Sequence, residues 1–199
     1  MDKKYLIAGF VLDNYLSKGN FSFAMDEIAM NLGISKKTIY KHFSSRDEML
    51  VYCIQGFFGE LELEFSKLAE CSFNTEQEFR KLIHDWFSII TDAAARFDMS
   101  ALNRVRYRNP ELWGIMNTNR ERLIKTYFMK VLKNASDCNL IKKEIPIPLL
   151  VTTFINMISN LAVPEIIIRH GGVKVFSDFV VSLILDGILR KNNSEGGLK

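Results

Sequence analysis

Apolar residues recur along this 199-residue chain at helical spacing almost from end to end. Ile7, Ala8, Val11, Leu12 and Tyr15 mark one face of an amphipathic helix over residues 3–18, which Gly19-Asn20 ends. Met25, Ile28, Ala29 and Leu32 fall at i, i+3, i+4 and i+7, a stripe on a second, short helix. Gly33 supplies the left-handed residue that closes it. Ser35 then suits the N-cap of a third helix, because its hydroxyl can accept from the orphan N–H groups of the first turn. Ile34 and Ile39 stand at N′ and N4 about that cap, the spacing of a hydrophobic staple. Two short helices joined by a glycine-containing turn make a helix-turn-helix, and Phe21 and Phe23 are expected to plug its small core. Ser45 and Glu48 read as a capping box for a fourth helix, whose Leu50, Ile54, Phe57, Phe58, Leu61, Phe65 and Leu68 carry it to about Ala69. No linker rich in Pro, Gly or Ser intervenes between Phe43 and this helix, so one continuous helix should start at the first unit and end inside the second.

A second capping box, Thr75 and Glu78, opens a helix with a wide aromatic stripe through Phe79, Trp86, Phe87 and Phe97. A short piece from Ser100 to Tyr107 leads to Asn109-Pro110, an N-cap with proline at N1, and to a long helix running past Leu132. A polar break is expected from Asn134 to Asn139. Beyond it, Leu149 to Val163 carries no charge, Pro164 should kink or end that helix, and Phe176 to Leu189 is apolar on two faces. Helices apolar nearly all round must be buried all round, and in so small a chain a second copy is the natural cover. Phe176, Val180, Leu183, Ile184 and Ile188 are therefore assigned to a two-fold interface. The fold class is all-α: a three-helix unit with a helix-turn-helix over 1–48, a larger helical unit over 49–191, and a frayed tail over 192–199.

Charge sharpens the reading of the third helix. The net charge of +3 is too small for a general polyanion binder, so any nucleic-acid signal has to be local. Between Gly33 and Arg46 the chain carries Lys36, Lys37, Lys41 and Arg46 and no acidic residue. Lysines in a first turn oppose the helix dipole, a cost that phosphates in front of the helix would offset. Lys37 and Thr38 are assigned to base edges in the major groove, and Ser35, Tyr40, His42 and Arg46 to phosphates, with Lys36 and Lys41 completing the DNA surface. A solvated lysine cluster is the competing reading; the turn, cap and staple together favour DNA.

The same residues resemble the N-terminal signature of the tetracycline-repressor-like (TetR/AcrR) transcriptional regulators. The resemblance rests on Gly19, Asp26-Glu27-Ile28-Ala29, Leu32-Gly33-Ile34-Ser35, Thr38-Ile39-Tyr40, His42-Phe43, Ser45-Arg46 and Met49-Leu50. It covers about the first quarter of the chain. Lys37 departs from the small residue common there, which bears on the bases read, and Arg46 replaces a lysine with its charge kept. The resemblance implies dimers paired through the last two helices as a four-helix bundle.

Other chemistry narrows the field. His42, His84 and His170 are scattered, no His/Asp/Glu group has metal spacing, and no phosphate loop or nucleophile motif stands out, so neither metal, cofactor nor enzyme activity is expected. Cys53, Cys71 and Cys138, odd in number and without CxxC spacing, read as buried thiols in a reducing, cytoplasmic setting. Asp13 and Asn14 break the N-terminal apolar run as a signal peptide would not, and the uncharged run Ile145 to Pro164 holds three prolines, which makes it a poor membrane span. Trp86, Phe87, Trp113, Met116, Tyr127 and Phe154 read either as plain core or as the wall of a small-molecule pocket whose polar groups are Asn156 and Asn160. Arg104, Arg106 and Arg108 read as a solvated face or as a site for an acidic effector. The expected function is a one-component transcriptional regulator, a repressor binding a pseudo-palindromic double-stranded DNA operator as a homodimer and released by a small, largely apolar effector. The alternatives are a helical adaptor and a DNA-binding protein without an effector.

Overall fold

The computed structural model describes residues 2–189, which form helices and no strand. Asp2 caps α1 (Lys3–Val11), its carboxylate accepting from the Lys4 N–H. The first helix continues as a π-helical stretch, Leu12–Leu16, and ends at Gly19, where φ is +80°. A Cβ at Gly19 would overlap the Ala101 Cβ, so both conformation and close approach demand glycine. At the same corner the Asp98 N–H donates to the Ser17 carbonyl at 3.1 Å.

The helix-turn-helix forms as its turn chemistry dictates. α2 (Met25–Asn31) buries Met25, Ile28 and Ala29. Its end is a Schellman motif: Ile34 N–H reaches the Ala29 carbonyl at 3.0 Å and Gly33 N–H the Met30 carbonyl at 3.1 Å, with Gly33 at φ +63°. α3 (Lys36–His42) starts at Ser35, whose hydroxyl accepts from the Thr38 N–H at 3.1 Å. Ile39 and Phe43 are fully buried beneath it, Phe23 is buried beside Tyr15 and Phe21 is half-buried.

α4 (Arg46–Ala69) is unbroken over 24 residues. Half of its predicted capping box is displaced by one residue. Ser45 Oγ accepts from Glu48 N–H at 3.1 Å, but the Glu48 carboxylate turns to Ser44, accepting from its N–H and its hydroxyl at 2.7 Å each. These bonds and Lys4, 3.3 Å away, hold the Glu48 carboxyl below the usual carboxylate range, Ser44 being the larger influence. At α5 (Glu76–Ala95) both halves of the Thr75/Glu78 box are present.

α6 (Met99–Arg108) and α7 (Pro110–Leu123) meet at Asn109, which caps the second with proline at N1. α7 runs through a π-helical stretch, Ile124–Phe128, into α8 (Met129–Asp137). The polar break comes later than expected, because Leu132 and Ala135 are buried and hold the helix to Asp137 before Asn139 takes φ 58°. α9 (Ile147–Leu161) is followed by α10 (Pro164–Arg169), so Pro164 starts a new helix as well as ending the old one. α11 (Val173–Ile188) lies along α5, α7 along α4, and α9 against α8. An isolated bridge joins Ile141 to Leu189 at the end of α11.

Two expectations need correction. Val180, Ile184 and Ile188 are buried in the protomer's own core and Phe176 is half-buried; of the five residues assigned to a two-fold interface only Leu183 is exposed. The phase of α11 turns Val175, Phe179 and Leu183 outward instead, a ridge of every fourth residue. Among the cysteines only Cys53 is buried; Cys71 and Cys138 sit just past the ends of α4 and α8 and are exposed. The tail assigned to 192–199 lies outside the described residues.

The two glycine turns should respond differently to a methyl group. Gly33→Ala meets open space and bears left-handed strain alone, about 1–2 kcal/mol. Gly19→Ala adds overpacking against Ala101, for a total of roughly 2–5 kcal/mol. Urea unfolding of the two variants checks this; equal losses would mean that the α6 contact yields freely.

Candidate nucleic-acid interface and buried cavity

The surface of α3 is built on an apolar anchor. Phe43 meets Tyr52 edge-on at 5.5 Å, and Lys4 Nζ lies 4.9 and 4.7 Å from the two ring centroids, so the third helix is braced by α1 and α4 together. Outward from this anchor Ser35, Lys36, Lys37, Tyr40, Lys41 and Arg46 are exposed, while Thr38 and His42 are half-buried. Lys37, Tyr40 and Lys41 share one face at i, i+3 and i+4. Lys36 is engaged: its Nζ is 2.7 Å from Asp26 Oδ1 on α2, and the hydrogen bond with Asp26 raises its pKa. That pair is exposed, and a phosphate can replace it at small cost. Thr38 Oγ1 and Ser35 Oγ lie 2.8 Å apart, which ties both hydroxyls to the start of the helix. Arg46 pairs with Asp47 at 3.3 Å in solvent. The arrangement offers a phosphate backbone several cations and hydroxyl donors on a rigid support.

Further along the same α4, helices α4 to α7 and α9 to α11 line a partly open cavity of about 170 Å³. Phe57, Phe58, Leu61 and Phe65 bring α4 to its wall; Trp86 and Phe87 come from α5, Trp113, Met116 and Arg120 from α7, Phe154 from α9, and Phe176 and Ser177 from α11. Its aromatic wall is interlocked. Phe65 stacks on Trp86 at 4.3 Å, Trp86 meets Phe128 at 5.5 Å, and Phe128 meets Phe154 at 4.8 Å. Trp86 Nε1 is buried without an acceptor among the described residues, and Ser177, 5% exposed, takes a hydrogen bond from Thr91 at 3.1 Å.

Among the described residues Arg120 is the one charged side chain in this wall. Its guanidinium donates to Asn117 Oδ1 at 2.8 Å and to the Ala162 carbonyl at 3.3 Å, and it lies 5.6 Å from the Trp113 ring. No carboxylate among the described residues pairs with it; the neighbouring Glu121 accepts instead from Ser159 at 3.3 Å. Desolvation pushes the Arg120 pKa down to about 10, slightly countered by Glu121. The residue was legible in one respect. It stands four positions after Met116 and three before Leu123, on the apolar stripe of α7, where a charge is out of pattern.

Of the residues assigned to a pocket, Trp86, Phe87, Trp113, Met116 and Phe154 meet at this cavity, and Tyr127, Asn156 and Asn160 do not. Asn156 and Asn160 occupy the exposed face of α9, where each amide bonds back to the carbonyl four residues earlier, at 2.9 and 2.8 Å. Tyr127 donates to Glu62 at 3.0 Å, beside the forked Arg122–Glu62 pair at 2.6 and 2.8 Å that joins α7 to α4. Arg122 holds the Glu62 carboxyl below its ordinary range. Arg104, Arg106 and Arg108 lie on α6 outside the cavity wall, so an acidic effector in this cavity would not meet them. Among the described residues no cluster has metal-binding composition, and no helix is long and apolar enough to cross a membrane.

Comparison with known proteins places both sites in context. Residues 16–53 match the family model described as bacterial regulatory proteins, tetR family. A Bacillus subtilis (strain 168) protein, the uncharacterized HTH-type transcriptional regulator YvaF, is 25% identical over 173 residues, 85% of each chain. The fatty acid degradation regulator FadR from Bacillus halodurans shares the fold with a TM-score of 0.66 at 16% identity, covering 94% of this chain and 97% of that one. The transcriptional regulator FadR from Bacillus subtilis, solved in complex with stearoyl-CoA, aligns with a TM-score of 0.64 at 16% identity, over 94% of this chain and all of that one, 100%.

The buried charge sets a stability expectation. A base whose pKa is lowered on folding is penalised wherever both states are charged, so the cost of Arg120 is constant below about pH 10 and is relieved only as pH rises towards the unfolded value. Arg120→Met should therefore stabilise the ligand-free protein by about 1–3 kcal/mol at pH 7. Denaturant unfolding reads this directly, and a loss of stability would show that the bonds to Asn117 and Ala162 outweigh desolvation.

Proposed function

We propose that this chain, which belongs to the TetR family through its residues 16–53, represses transcription by binding a pseudo-palindromic operator as a homodimer and lets go when a small, largely apolar molecule fills its cavity. It is a transcriptional regulator of that family, not an enzyme. The observation that carries the rest is one helix: α4 begins beside the recognition surface at Arg46 and lines the cavity with Phe57, Phe58, Leu61 and Phe65. A ligand that prefers one placement of these rings biases the placement of the DNA unit, and only its difference in affinity between the two placements does so. Coupling of about 1–3 kcal/mol corresponds to roughly 5- to 150-fold weaker operator binding.

For the DNA surface, Lys37 reads base edges while Ser35, Lys36, Tyr40, Lys41, His42 and Arg46 hold phosphates; Thr38, tied to Ser35, positions the helix start and presents its methyl group. Dimerisation uses the outward ridge Val175, Phe179 and Leu183 of α11, large apolar groups that a soluble monomer has no reason to expose in line. Such a dimer has to hold its two recognition helices about 34–36 Å apart, one turn of B-DNA. FadR of Bacillus subtilis is seen with stearoyl-CoA, which supports a ligand role for a cavity in this fold. A DNA-binding protein whose second unit serves only to dimerise is the competing reading.

Four measurements test the scheme. Lys37→Ala should shift base preference at one operator position by about 1–3 kcal/mol. Arg46→Ala should weaken all sequences alike and lower the salt slope by about one unit. Uniform loss in both variants would remove the base-reading role of Lys37. Leu183→Asp should give monomers by sedimentation with operator affinity lost; a dimer that survives it would move the interface off α11. Operator affinity equal with and without a ligand bound in the cavity would leave the second unit as a dimerisation module.

A further inference from the structure

We propose that the cavity ligand is a monocarboxylate, a compact apolar body ending in one carboxylate that pairs with Arg120. The inference rests on the reading of the cavity as an effector site and adds the chemical class of the effector. Three observations carry it. Among the described residues Arg120 is the one charged group of a largely apolar wall, and it has hydrogen bonds to an amide and a carbonyl but no carboxylate partner. A guanidinium placed so, with several N–H donors in a planar fork, matches a carboxylate in geometry and charge. The Asn117 and Ala162 bonds hold the fork in position and leave its charge uncompensated. Second, among the described residues the rest of the wall is apolar apart from Ser177 and the two indoles, so it holds no carboxylate that would compete for Arg120 or repel an anion.

Third, size and charge count select among anions. An apolar cavity of about 150 Å³ is known to take benzene, so 170 Å³ here accommodates an apolar body of about six to ten non-hydrogen atoms. A coenzyme A thioester brings several phosphate charges, and this wall supplies one cation. A free acid with a short chain or one ring satisfies both limits. The carboxylate is bound as the anion because Arg120, even with its pKa lowered to about 10, is charged at neutral pH.

The chain has two tryptophans, Trp86 and Trp113, and both line the cavity, so emission excited selectively at tryptophan reports on this site. The full-length protein should be titrated with octanoate and 3-phenylpropionate, with octanamide and 3-phenylpropanamide as uncharged matches, and with octanoyl-CoA. The acids should bind about 10- to 100-fold more tightly than their amides, the range expected of a hydrogen bond to a charged group. In Arg120→Met this preference should vanish while amide binding persists, and Arg120→Lys should restore only part of it. Equal binding of acid and amide in the natural chain, binding of neither, retention of the preference in Arg120→Met, or binding of octanoyl-CoA in place of octanoate would each overturn the assignment. Operator binding followed in the same samples separates the two readings. Acids that bind through Arg120 without releasing DNA sustain the ligand class and defeat the release mechanism; release by the amides alone does the reverse.

Discussion

The constraint on which the rest of the structure depends is the continuity of α4. A helix of 24 residues has to satisfy two cores with one apolar face. Its first half buries Met49, Leu50, Cys53 and Ile54 against the DNA unit, with Cys53 Sγ 3.4 Å from the Ala8 carbonyl of α1. Its second half puts Phe57, Phe58 and Phe65 into the cavity wall. Because the backbone hydrogen bonds run through without a break, neither half can turn about the helix axis without turning the other. The three-helix N-terminal unit, too small to be robust alone, gains its stability from the same continuity. Burial also silences Cys53, whose thiol is pushed up to about 12 and stays protonated.

The larger unit resolves a conflict between packing and chemistry. Its interlocked aromatic rings form one side of the cavity wall, and Arg120, beside the Trp113 ring, and Ser177 add polar groups to it. A guanidinium in such surroundings loses hydration that two neutral acceptors replace only in part. A half-buried charge held against an apolar wall without a counter-charge marks a candidate functional site.

The sequence spoke most clearly where local chemistry dictates geometry. Gly33, Ile34 and Ser35 form the turn and cap that their side chains require, and Thr75 with Glu78 closes its box. It was least legible where the answer depends on rotational phase. On α9 and α11 nearly every position is apolar or neutral, so the pattern says that these helices are buried without saying which side faces the protomer. Asn156 and Asn160 then fall outside, bonding to their own helix, and Val180, Ile184 and Ile188 fall inside. Glu48 chose Ser44 over Ser45 because two hydrogen bonds from one residue outdo a single one. Arg120 was visible as an intruder on an apolar stripe, and only the enclosing helices reveal what it faces.

The corner between the first helix and the α5–α6 junction differs in composition from the interior on either side. Arg96, at the end of α5, lies 3.5 Å from Asp13 and 3.0 Å from Glu60, and Tyr5 donates to Glu60 at 3.4 Å. The backbone bond from Asp98 to Ser17 completes this joint. Exposed pairs of this kind are worth about 0–1 kcal/mol each and exchange readily with water and ions. Resetting them uncovers little apolar surface, and apolar surface is what gives a transition its heat capacity. Motion at this joint is therefore almost silent calorimetrically. If the proposed effector resets this joint, the temperature dependence of its binding enthalpy counts chiefly the surface covered within the cavity.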